Sequence, residues 1–106
     1  MSEAIVVFMT AANADEARRI ADRLVETKLA ACVQILPEIE SIYRWKNEVQ
    51  HDKEVLLLAK TTDGRFDGLE KEVRAMHSYE TPEIVAVPAS NISESYRAWL
   101  FDSLAS

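Results

Sequence analysis

The chain has 106 residues, 48% of them hydrophobic and 28% charged, with two glycines and three prolines, which suits one soluble globular domain over residues 1–106 and excludes disordered and fibrous classes. A net charge of −6 and a pI near 4.9 argue against a duplex nucleic-acid binder, since that affinity comes from basic side chains on phosphates. No run of about 18 apolar residues is available to span a membrane, and Met1–Ala4 lacks a basic leader, so neither nucleic acid nor membrane is expected as a partner. With the single cysteine Cys32, these features make the cytoplasm the default expectation.

Ile5–Met9 is a β-branched and aromatic run, the composition of a buried first strand. Asn13 followed by Glu16 resembles a capping box, and Ala14, Ala17, Ile20, Ala21, Leu24 and Val25 recur at helical spacing, which predicts a helix over 14–28. A second strand is expected from Ala31 to Leu36, with a bulge or sheet edge at Pro37. Beyond it, Ile39, Ser41, Tyr43 and Trp45 alternate against Glu40, Ile42, Arg44 and Lys46. A tight turn at Lys46-Asn47-Glu48 returns the chain as a third strand over Val49–Lys60. The hairpin is unusually long, and its polar distal half has no core of its own, so a partner subunit is expected to bury it.

Thr62 or Asp63 caps a second helix with Phe66, Leu69, Val73 and Met76 on one stripe, weakened by Gly68. Glu83–Val87 is the fourth strand, stopped by Pro88, and Ser90, Asn91 or Ser93 caps a last helix with Ile92, Tyr96, Trp99, Leu100 and Leu104 on one side. The order β-α-β-β-α-β plus a terminal helix predicts an α+β, ferredoxin-like sandwich, with two helices on one sheet face and an apolar opposite face that marks an oligomer interface.

Chemistry-bearing residues concentrate in Met76–Glu83, at the end of the second helix. A soft ion such as Cu(I) accepts thioether, thiolate and imidazole ligands, and Cys32 with His77 supplies two strong ones. The competing readings are that His77 meets the helix C-terminus and that Cys32 is a small buried hydrophobe. His51 is expected to face solvent. Tyr43 and Trp45 share a strand face, where they either pack or line a ligand cleft beside Lys60 and Tyr79. Gly64 and Gly68 are the only glycines, so no phosphate loop is present, and no nucleophile with a base is apparent; a hydrolase using His77 and Glu80 is the weakest option and the chain is expected not to be an enzyme.

Leu29–Val33, Ser41–Trp45, Glu54–Thr61 and above all His77-Ser78-Tyr79-Glu80-Thr81-Pro82-Glu83-Ile84, in this order, resemble the CutA family of divalent-cation tolerance proteins over nearly the whole chain. The resemblance implies a ferredoxin-like subunit, a PII-like homotrimer whose hairpins wrap neighbouring subunits, and high thermal stability. It also implies a link to copper, at a histidine-rich end of the second helix with a cysteine at the end of the first strand. Here those positions hold Met76 beside His77, and Met9, so the implied metal set becomes His77, Met76 and Met9, with Cys32, and favours Cu(I) over Cu(II) or Zn(II). Lys60, Tyr79 and Glu80 match the family pattern and are expected in an inter-subunit cleft with Trp45 as a neighbour. A small-molecule sensor of PII type, or a structural scaffold without a metal role, are the alternative functions.

Overall fold

A computed structural model describes residues 2–105. Its elements run β1 (Ala4–Ala11), α1 (Ala14–Glu26), β2 (Cys32–Trp45), β3 (Glu48–Thr62), a 3-10 turn, α2 (Phe66–Met76), β4 (Ile84–Pro88) and α3 (Glu94–Leu104). All three strand pairings are antiparallel, and the sheet order is β2-β3-β1-β4. The order of elements is the expected split βαβ pattern with an added helix.

The first sheet face carries the core. Ile5, Val7, Met9 and Ala11 of β1 stand beside Val55, Leu57 and Ala59 of β3, and Ile20 and Leu24 of α1 with Leu69 and Val73 of α2 close over them. α1 starts where Asn13 accepts a hydrogen bond from the Glu16 N–H at 2.8 Å, an Asn cap as the sequence implied. It ends at Glu26, two residues short of the expected limit, because Lys28 turns into the left-handed region at φ 61° and the Leu29 N–H returns to the Leu24 carbonyl. α2 passes close to this segment. A Cβ on Gly68 would stand 2.9 Å from Leu29 Cδ2, so glycine costs helix propensity but permits the approach. The Thr62 side chain makes no cap bond at the head of this unit; a turn of 3-10 helix over Asp63–Arg65 intervenes before the α-helix.

β2 and β3 form the long hairpin. Its register slips between Leu36 and Ile39, a bulge beside Pro37 on an edge strand, as expected. Lys46 and Asn47 both take positive φ (50° and 66°) between the paired Trp45 and Glu48, a two-residue turn of the primed kind. The distal arm carries Ile42, Trp45 and Val49 in the open and stretches the chain to 44 × 25 × 23 Å. β4 ends at Pro88, as expected; the proline is itself the last strand residue, opposite Ile5, on an edge where a missing N–H is tolerated.

Cross-strand partners share a face, so the second sheet face holds Val6, Phe8, Leu56 and Leu58, with Leu36, Val85 and Val87 exposed beside them. α3, capped by Ser93, packs on β3 apart from the main core and covers only part of this face. The expected apolar stripe of α3 is therefore realised only in part. Leu100 and Leu104 are buried, but Tyr96 and Trp99 (46% exposed) lie open, because one turn-to-turn row of a helix on a partly covered sheet is enough to seat it. Lys28 Nζ and an Arg65 guanidinium nitrogen hold the Ala105 and Leu104 carbonyls and fasten the helix end.

Candidate functional site: an acidic aromatic cleft

The sharp exit from α2 positions the site. His77 leaves the helix with extended backbone while its N–H still bonds the Val73 carbonyl. Its ring turns away from its own helix end, so the dipole reading does not hold: Nε2 lies 2.7 Å from the Thr10 carbonyl on β1, and Nδ1 is 3.0 Å from the Tyr79 N–H. A backbone N–H only donates, so Nδ1 must accept and Nε2 carries the proton to Thr10. The imidazole thus ties β1 to the α2–β4 loop and stacks against Tyr79 with centroids 4.7 Å apart.

Tyr79 reaches across to β3, where its hydroxyl donates to Glu54 Oε2 at 3.0 Å. Burial, then the Glu54 carboxylate, push this phenol well above the ordinary tyrosine range. The same loop is stapled from below by Glu16, 3% exposed, whose carboxylate accepts from the Ala12 N–H at 2.9 Å and the Ser78 N–H at 2.8 Å. The sequence marked Glu16 only as part of a capping box; the partner 62 residues away became visible in the fold.

Between the loop and the base of the hairpin arm lies a cleft of about 620 Å³. Tyr43, Trp45 and Tyr79 give it aromatic walls, Asp52, Glu54, Glu80 and Glu83 give it carboxylates, and among the described residues no lysine, arginine or histidine lines it. The Tyr43 hydroxyl bonds Asp52. Burial pushes the Glu83 carboxyl up, and the neighbouring Glu54 charge adds to the effect. Glu83 belongs to the Met76–Glu83 cluster marked in the sequence, whereas Thr10, Asp52 and Glu54 are lining residues that sequence reading missed, since their approach depends on register and loop path alone.

Of the residues expected in a cleft, the structure brings together Tyr79, Glu80 and Trp45, with His77 supporting Tyr79 from behind. Lys60 is elsewhere in the chain. It pairs with Val6 and Cys32, bonds Gln34, and stands six residues along β3 from Glu54, about 20 Å at ~3.3 Å per residue. His51 is exposed, 3.9 Å from Glu40 on the facing strand.

The expected copper set does not present free donors together. Met9 is sealed in the core on the first sheet face and Met76 packs against that core, whereas Cys32 pairs with Lys60 on the second face and sits against Tyr96, whose phenol burial and the Cys32 sulfur push up. His77 has its only free lone pair engaged by the Tyr79 N–H. Among the described residues no three His, Cys, Asp or Glu side chains converge in metal-binding geometry. The residues present therefore do not fit a copper ion, because ligation needs free donor atoms meeting at one point.

The family model for the CutA1 divalent ion tolerance protein matches residues 5–103. The divalent-cation tolerance protein CutA of Thermus thermophilus is 50% identical over 95 residues, covering 90% of this chain and 92% of that protein. The chloroplastic CutA of Arabidopsis thaliana is 42% identical over 99 residues, 93% of this chain and 54% of the longer relative. The solved structure of the periplasmic divalent cation tolerance protein CutA from Archaeoglobus fulgidus superposes with a TM-score of 0.93 at 36% identity, over 96% of this chain and 99% of that one. These relatives correct the expected location: a periplasmic and a chloroplastic member show that a lone cysteine and an acidic balance do not assign this fold to the cytoplasm. With a family model spanning almost every element and relatives matched along their sheet and helices alike, the chain belongs to the CutA1 divalent-ion tolerance family.

Proposed function

We propose that this protein is a homotrimeric binding protein without catalytic chemistry, which takes up a small effector in the cleft between the hairpin arm and the 79–83 loop and serves the cell's response to divalent cations. The observation that carries the reading is the cleft itself, already formed in the subunit, with aromatic walls and polar groups converging on it. The response to divalent cations is taken from the names of the matched relatives. Assembly is supported by the half-covered second sheet face, where Phe8, Leu58, Val85 and Val87 form a continuous apolar surface, and by a hairpin arm with open Ile42, Trp45 and Val49. An effector role is favoured over a copper role because Met9 is sealed in the core, Cys32 lies on the other sheet face and the His77 lone pair is engaged, while the cleft residues are gathered.

Sedimentation and a ligand panel test this. Three subunits of 12.0 kDa make 3 × 12.0, or 36 kDa, and a species at 12.0 kDa would sink the assembly. A panel of charged and neutral metabolites should contain at least one that raises the unfolding temperature of the wild type and not of a Trp45→Ala variant, since a ligand bound only to the native state stabilises it. No shift from any member at millimolar concentration would remove the effector role.

A further inference from the structure

We draw no further inference here: the strongest candidate, the exposed pair Tyr96 and Trp99 of α3 beside Cys32, is a patch on the half-covered second sheet face already assigned to assembly, and nothing in the structure shows what covers it.

Discussion

Replacing Glu16 by glutamine should destabilise the protein by about 2 kcal/mol at neutral pH and by almost nothing in acid. The Glu16 carboxylate accepts two backbone N–H groups, Ala12 at 2.9 Å and Ser78 at 2.8 Å, and the residue is 3% exposed. Hydrogen bonds to a charged group contribute about 1.5–3 kcal/mol each. Glutamine keeps one carbonyl acceptor, so one bond is retained in neutral form while the other N–H faces an amide donor, which gives the figure of about 2 kcal/mol. For a chain of this length that is a fall of about 10 °C in unfolding temperature. Burial acts to raise the Glu16 carboxyl, but the bonds from Ala12 and Ser78, with a smaller part from His77, outweigh it and hold it below its ordinary 4.5. The folded state therefore binds this proton less tightly than the unfolded chain. The stabilisation is fully present above the unfolded value and is lost as pH falls through the lower folded one. Urea unfolding of wild type and Glu16→Gln at matched protein concentration, from pH 7 down to about pH 3, should show the gap closing in the acid range. A gap that stays constant with pH, or that is below about 0.5 kcal/mol at pH 7, would refute the view that an ionised Glu16 fastens the site loop.

Two further outcomes follow from the structure. All three tyrosines have phenols pushed above the ordinary 10.0, Tyr79 and Tyr96 chiefly by burial and Tyr43 chiefly by its bond to Asp52. Absorbance titration at alkaline pH should show phenolate formation deferred past 10.0 until unfolding, with stability declining as pH rises; three free phenols titrating together at 10.0 in the folded protein would contradict this. At the hairpin tip, Lys46→Asn with Asn47→Gly should relieve two left-handed residues and stabilise the turn by about 1 kcal/mol, read as slower amide exchange at Trp45 and Glu48, whereas unchanged or faster exchange would contradict the turn assignment.

The local readings that succeeded rest on interactions within a few residues. Asn13 with Glu16, the break at Pro37, the turn tolerated by Asn47 and the interrupted apolar runs are written in short windows of chain, so the elements and their order were legible; Tyr79, Glu80 and Trp45, grouped in the sequence, line one cleft in the fold. Other placements followed from register. Lys60 and Cys32 stand in motifs next to residues of the cleft, yet a strand carries each residue about 3.3 Å along and alternates its face, so within one chain both lie away from it. Met9 sits at the expected position and is useless as a ligand, because its strand parity turns the sulfur into the core.

By itself, then, the sequence determined the α+β order, the long arm, the bulge and the family, since periodicity, caps and turns are local properties of a chain. Tertiary structure alone decided that Glu16 would hold a loop 62 residues away, that His77 would spend its lone pair on the Tyr79 N–H, and that Thr10, Asp52, Glu54 and Glu83 would enclose one cleft. Those outcomes depend on which strand faces which, and on where a helix stops. Neither is set by any single segment; both follow from the whole core finding one packing.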